Sequence, residues 1–409
     1  MIKTTYDIAI LGGGMVGLSI ANQLIERKIA KKIIIIDKEE KLGSHGSGRN
    51  SGVLHSGVYY NPGSLKATVC VAGARRLKEW IQDRNLPINC CGKVIIPQKE
   101  HLDSQLDLLK RRGDSNGATV HIIDNYQLKE LIPEARSSSG RALWSPNTVV
   151  VKPLTVIKTL QSELEQKGVE IYTNQKDYEF NIELKELKLQ DGNTISYGHL
   201  INCTGLQADR IAHKFGVGNS YKLLPFKGLY WQLNSKCPFI IKRNLYPVPD
   251  LNIPFLGVHF TPSADQIPTV SIGPTASPAL GRYNYRGLEA FEPIMSLQNL
   301  SLLANQYLFD KGGFRRYVHE QAFLSLPVFL IKAAQELIPS IKPEYIEMSS
   351  KVGIRSQLFN KVTRKLEDDF LCLPGPDSTH VLNAISPAFT ASFSLADLII
   401  DQSGINKIT

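Results

Sequence analysis

The chain lacks an apolar run of about 18 residues, the length a bilayer-crossing helix needs, so none is expected in its 409 residues. It also lacks C-x-x-C spacing. Its six cysteines, Cys70, Cys90, Cys91, Cys203, Cys237 and Cys372, suggest neither a metal-ligand set nor a redox dithiol. They read as reduced thiols of a cytoplasmic protein, and no metal is expected. Long basic tracts are missing too. The formal charge is +9, yet the densest clusters, Arg75-Arg76, Lys110-Arg111-Arg112 and Arg315-Arg316, are short. Without basic tracts interleaved with aromatics, nucleic acid is not an expected partner. A diffuse positive excess suits small anions or lipid headgroups. There are no repeats and no low-complexity tract, and 43% hydrophobic against 21% charged residues excludes disorder. The opening, Met1 to Ala21, places Lys3 ahead of an apolar run as a secretory leader does. Asp7 and the Gly12-Gly13-Gly14 triplet interrupt it, so no leader is expected.

What is present begins at once. Tyr6 to Leu11 reads as a short buried strand. Three glycines follow, and then Val16, Leu18, Ile20, Leu24 and Ile25 recur at helical spacing. Ile33-Ile34-Ile35-Ile36 is a β-branched run of the kind buried on both faces of a parallel sheet, and it ends at Asp37. Gly12-x-Gly14-x-x-Gly17 sits at the strand-to-helix junction, as a dinucleotide fingerprint does. Gly12 permits the tight turn, Gly14 lets the backbone approach a pyrophosphate, and Gly17 lets helix and strand pack closely. The helix N-terminus offers free N–H groups to phosphates, and Asp37 is placed to accept from a ribose hydroxyl. The fingerprint suits FAD and nicotinamide cofactors alike, and its extreme N-terminal position favours FAD.

From Lys41 to Ser64 the chain is rich in Gly, Ser and Asn and has little helical periodicity, as functional loops do. Within it Ser47-Gly48-Arg49-Asn50-Ser51-Gly52-Val53-Leu54-His55-Ser56-Gly57-Val58-Tyr59-Tyr60 alternates small residues with donors and one titratable imidazole. Helices are expected over 65–84, 100–112, 127–131, 152–167, 208–215, 288–309 and 327–338, and a last one opened by Ser386-Pro387 and running to Asp401. A strand over 180–189 and another over 194–201 read as a hairpin around Asp191-Gly192.

Several motifs in order resemble one family, the L-2-hydroxyglutarate oxidases and dehydrogenases of the D-amino-acid-oxidase-like FAD superfamily. They are the stretch 47–60 with P-G-S-L-K-A at 62–67, Y-P-V-P-D at 246–250, P-F-L-G-V-H-F-T-P at 254–262, G-I-R-S-Q at 353–357 and H-V-L-N-A-x-S-P at 380–387. The resemblance implies an α/β fold. A Rossmann-like FAD-binding domain would comprise 1–92, 146–215 and 346–409, and a substrate domain built on an antiparallel sheet would comprise 93–145 and 216–345. It implies oxidation of L-2-hydroxyglutarate or a related 2-hydroxy acid to the 2-oxo acid by hydride transfer to FAD. The cofactor would be held by Gly12, Gly14, Gly17, Asp37, Ser47, Gly48, Arg49, Asn50, Ser51, Thr204, Gly205, Ser386 and Pro387. Arg355 would anchor the substrate carboxylate through a bidentate fork. His55 and His259 are both candidates for accepting the hydroxyl proton. Tyr60, Tyr246 and Lys227 are further candidates for touching substrate.

The sequence departs from the family pattern where Lys152 replaces an expected aspartate, at Leu229 after Phe226-Lys227-Gly228, and at Thr275-Ala276-Ser277. These departures leave the substrate less secure than the fold. An amine or amino-acid oxidase of the same superfamily stands as the alternative, followed by a flavin-bound RNA-modifying protein and a non-catalytic assembly factor. The electron acceptor is dioxygen or a quinone. A quinone would ask for peripheral contact with the inner face of a membrane, and Ala322 to Lys332, flanked by Arg315, Arg316 and Lys332, is the apolar run expected to provide it.

Overall fold

The computed structural model describes residues 3–249, 257–267, 269–309 and 326–405, with Arg315, His319 and Leu324. β1 (Lys3–Leu11), α1 (Met15–Glu26) and β2 (Ile33–Ile36) form the expected βαβ unit, with the strands parallel. Successive side chains of a strand point to opposite faces. Ile8, Ile10, Ile33 and Ile35 therefore join the core beneath α1. Ala9, Leu11, Ile34 and Ile36 join a second core with Leu187, Ile195 and Phe215. Burial from both sides explains the unbroken isoleucine run. Each of the four is at most 1% exposed, a contribution of about 1.5–3 kcal/mol apiece.

The first sheet has eight strands. Its main order is 178–181, 186–189, 194–202, β1, β2 and 170–172, and 378–383 pairs with the end of 194–202. The helices Leu65–Asp83 and Ala388–Ser403 share the core of α1 through Leu77, Trp80, Phe393 and Ile399. The second sheet has ten strands and is antiparallel except where Asn244–Pro247 runs parallel to Lys93–Ile96. The helix Pro327–Leu337 covers one face of it through Leu330, Ala334 and Leu337. The helix Ser104–Ser115 packs Leu106 and Leu109 against Ile95, Leu143 and Tyr246 on the other. This is the expected class, a Rossmann-like unit beside a largely antiparallel sheet.

Three local expectations change. The segment 346–360, assigned above to the cofactor unit, is a long strand of the second sheet paired with Tyr221–Leu233. A strand's periodicity does not name its partner. The expected strand 180–189 is broken by a turn with Lys185 at φ 53°, so 178–181 and 186–189 form a hairpin of their own. The helix expected from Leu288 begins at Pro293, where a proline costs nothing because the first-turn N–H is unpaired anyway.

Candidate active site

One cavity of about 620 Å³ runs from the N-terminus of α1, past the 43–55 loop and the start of the helix Ala388–Ser403, to the strand carrying Arg355. It is lined by Gly12, Gly14, Asp37, Ser47, Arg49, Asn50, Ser51, His55, Thr204, Gly205, Tyr246, His259, Arg355, Ser386 and Pro387. Residues more than 300 positions apart in the chain meet there.

At the α1 end the glycines do different work. Gly12 has φ +101°, and a Cβ on it would lie 2.5 Å from the Cys203 carbonyl oxygen. A Cβ on Gly17 would lie 2.1 Å from the Gly12 oxygen, so Gly17 serves helix–strand packing and does not line the cavity. Gly14 is the N-cap of α1. No side chain of its own caps the helix, and no acid stands in the first turn. The Ser47 hydroxyl accepts from Met15 N–H at 2.9 Å. Asp37 accepts from the Gly13 and Glu39 N–H groups at 2.7 and 2.8 Å. Burial raises its pKa above the ordinary carboxylate value against those hydrogen bonds. A helix N-terminus with no side-chain cap of its own and no acid in its first turn, beside a carboxylate that ends the neighbouring strand, fits a pyrophosphate and a ribose hydroxyl.

Arg49 and Asn50 spend donors on their own loop. Arg49 Nε donates to the Ser44 oxygen at 2.7 Å, and its guanidinium lies 4.2 Å from the Tyr285 ring centroid. Asn50 Nδ2 donates to the Ser47 oxygen at 2.6 Å. Gly48 stays in the wall, since a Cβ there would meet the Gly43 oxygen at 2.3 Å. At the opposite side the helix Ala388–Ser403 starts without a side-chain cap. Its first turn lines the cavity, leaving N–H groups and a positive dipole end for electron-rich atoms.

At the other end the groups are chemical. Arg355, on the strand Ile346–Asn360, donates to the Thr275 oxygen at 3.4 Å. His259 opens the strand His259–Pro262 and is 5% exposed. Its Nδ1 is 2.7 Å from the Gly257 oxygen. A carbonyl can only accept, so Nδ1 carries the proton and Nε2 keeps a lone pair. Burial first, and then the positive charges of Lys93 and Arg355, pull its pKa down to about 3. Tyr246 stacks on it with ring centroids 3.9 Å apart. His55 follows the strand Val53–Leu54, and Thr390 pins it, accepting from its N–H at 3.1 Å. Burial, Lys93 and His259, in that order, hold its pKa well below the usual range.

Two expected substrate contacts, Lys227 and Tyr60, are not among the residues lining the cavity. Lys227 Nζ donates to Asn284 Oδ1 at 2.7 Å. Tyr60 is half-buried and is not among the lining residues, although its phenol hydrogen-bonds Ser386, which is one; burial, first of all, drives its pKa upward. The departures resolve into contacts outside the cavity lining. Thr275 Oγ1 accepts from Leu229 N–H at 3.1 Å, and Lys152 pairs with Asp265 at 2.5 Å. None of these three lines the cavity. Tyr230, Tyr283 and the buried Lys93 beside the site were not singled out from sequence. Their one faint signal was a charge, Lys93, at the head of an otherwise apolar β-branched strand.

A family model described as FAD dependent oxidoreductase matches residues 7–402. The L-2-hydroxyglutarate dehydrogenase, mitochondrial, of Caenorhabditis elegans is 34% identical, covering 98% of this chain and 94% of its own. That of Nematostella vectensis is 33% identical, covering 97% and 90%. Among solved structures, the dithionite-reduced L-alpha-glycerophosphate oxidase of Mycoplasma pneumoniae with FAD bound superposes with a TM-score of 0.73. It is 20% identical and covers 97% of this chain and 94% of its own.

Proposed function

The chain belongs to the FAD dependent oxidoreductase family, and from that premise we propose that it oxidises L-2-hydroxyglutarate, or a closely related 2-hydroxy acid, to the 2-oxo acid. The observation that carries the chemistry is one cavity holding a guanidinium, a histidine Nε2 lone pair and an uncapped helix N-terminus. Bound FAD supplies the two-electron acceptor that oxidation of a CH–OH carbon requires. Gly12, Gly14, Asp37, Ser47 and the first turn of Ala388–Ser403 hold it. Arg355 receives the substrate carboxylate in a charge-assisted fork. His259 Nε2 takes the hydroxyl proton as the O–H bond breaks. An anionic substrate raises the proton affinity of that imidazole from its depressed value in the free enzyme. His55 contributes a donor from the nitrogen that does not face Lys93. The test is anaerobic mixing of purified enzyme with paired 2-hydroxy and 2-amino acids. Bleaching of the flavin by the hydroxy acid and not its amino counterpart supports the reading, and the reverse replaces it with amino-acid oxidation.

Replacing Arg355 with alanine should leave flavin content unchanged and raise KM by roughly 30-fold or more. This corresponds to about 2 kcal/mol, the lower end for removing one partner of a buried charge pair. A KM equal to that of the wild type would place the carboxylate anchor elsewhere.

The second electron acceptor is proposed to be a membrane quinone, with a peripheral contact on the cytoplasmic side. No described helix is long and apolar enough to cross a membrane. Of the expected contact segment 322–332, Ala322, Phe323 and Ser325 lie outside the described residues, and Leu330 is fully buried. The better surface is the helix Pro293–Leu308, which carries no charged residue. It packs Leu302 and Leu303 on the core and still exposes Ile294, Leu297 and Leu308, more apolar surface than an ordinary surface helix shows. Arg210, Lys222 and Lys361 line the groove beside Ile294 together with Asp209 and Glu292, and Arg210 pairs with Glu292. Exposed apolar side chains beside Lys222 and Lys361 suit an anionic lipid interface. The enzyme should sediment with phosphatidylserine vesicles at low salt, and Leu297→Glu should abolish this. Full recovery of the unaltered enzyme in the supernatant would leave dioxygen as the acceptor.

A further inference from the structure

Lys93 opens the strand Lys93–Ile96 and is 1% exposed. A fully buried ammonium is ordinarily paired with an acid. Here no described carboxylate forms a salt bridge with it. Its Nζ lies 3.4 Å from His55 Nδ1, 4.6 Å from the Tyr246 ring centroid and 5.1 Å from that of Tyr59. The ring faces offset part of the desolvation cost, and burial still pulls its pKa down to about 8. The titratable groups around it are His55, His259, Tyr59, Tyr246, Cys70 and Cys91, and Arg355 acts on His259 as well. Its position follows from register. Asn244 pairs with Lys93 and Tyr246 with Ile95, so Lys93 shares the face of Ile95, turned toward the two histidines, while Val94 and Ile96 enter the core beneath the helix Pro327–Leu337.

We propose that Lys93 is a positioning residue that sets the hydrogen-bonding roles of the two active-site histidines. An ammonium has donors only, so His55 Nδ1 must accept from it and His55 Nε2 must carry the ring proton. The same charge opposes protonation of both rings. His259, whose Nδ1–H is committed to the Gly257 oxygen, then presents a lone pair at Nε2. The pair therefore offers a 2-hydroxy acid one donor and one acceptor, with no exchange of protons by Lys93 itself. The substrate half of this inference rests on the hydroxy-acid reading above, and the tautomer half does not.

Two measurements test it. In long-range ¹H–¹⁵N spectra of the histidine-labelled FAD-bound enzyme, His55, assigned by His55→Gln, should appear as the Nε2–H tautomer. A wild-type Nδ1–H tautomer would overturn the proposal outright, whatever the substrate proves to be. In Lys93→Met the His55 signal should leave that pattern. The acid limb of kcat/KM should also move up by about one pH unit, because removing a nearby positive charge favours the imidazolium. Lys93→Arg, which keeps the charge, should hold the limb near its wild-type position. A Lys93→Met enzyme with unshifted limb and unshifted imidazole signals, or a Lys93→Arg enzyme shifted as far as Lys93→Met, would show that Lys93 only fills space. If no hydroxy acid reduces the flavin, the spectra still decide the tautomer, so the two readings fail separately.

Discussion

A Gly14→Val chain should purify folded and colourless. Gly14 has φ −79°, a backbone conformation any L-residue adopts, so valine introduces no strain of its own. The obstacle is space. A Cβ at this position already lies 2.9 Å from Ser47 Oγ, and the γ-methyls of valine would extend into the cavity at the N-terminus of α1, where the proposed cofactor's pyrophosphate would lie. The loss should therefore be of cofactor, with far-ultraviolet circular dichroism and Tm close to the unaltered chain. Gly12→Val and Gly17→Val should behave differently and lower Tm. Gly12 needs its positive φ, and a Cβ on Gly17 collides with backbone. Flavin absorbance at wild-type stoichiometry in Gly14→Val would refute the placement of the cofactor.

His259→Gln should lower kcat/KM by about 10²- to 10⁴-fold, the usual contribution of a positioned general base, while flavin content stays intact. Glutamine preserves bulk and polarity but cannot take a proton from the hydroxyl. The pH dependence has a definite sign. The pKa of His259 in the free enzyme is depressed to about 3, so the ring is neutral and able to accept throughout the range above that value. Protonation of His259 should therefore not cut kcat/KM between pH 5 and 7. His55→Gln should cost less, since glutamine can still donate. A larger loss in His55→Gln than in His259→Gln would exchange the two roles.

The turn, helix start and strand-end acid of the proposed cofactor half were legible because their determinants are short-range. Turn, helix cap and strand-end acid lie within one βαβ unit, and each leaves a mark in residue type, as glycine where a Cβ collides or carboxylate where a strand stops. The substrate half was legible only through resemblance. Lys227 and Tyr60 had the right chemistry, but Lys227 is held by Asn284, and the Tyr60 phenol is engaged with Ser386. Likewise Lys152 and Thr275 differ from the family pattern without reaching the cavity.

By itself the sequence determined that β1 is followed by a glycine turn and a helix, that four isoleucines are buried from both sides, and that a guanidinium and two imidazoles are available. These follow from side-chain size, backbone freedom and periodicity over a few residues. Only the tertiary structure decided that the strand 346–360 joins the second sheet, so that Arg355 reaches the cavity from the side opposite α1. It alone placed Lys93 beneath His55, 38 residues away in sequence. The roles of the two histidines depend on which atom faces each ring nitrogen. A carbonyl oxygen at 2.7 Å and an ammonium at 3.4 Å impose opposite tautomers on identical side chains, and those distances arise from how strands pack.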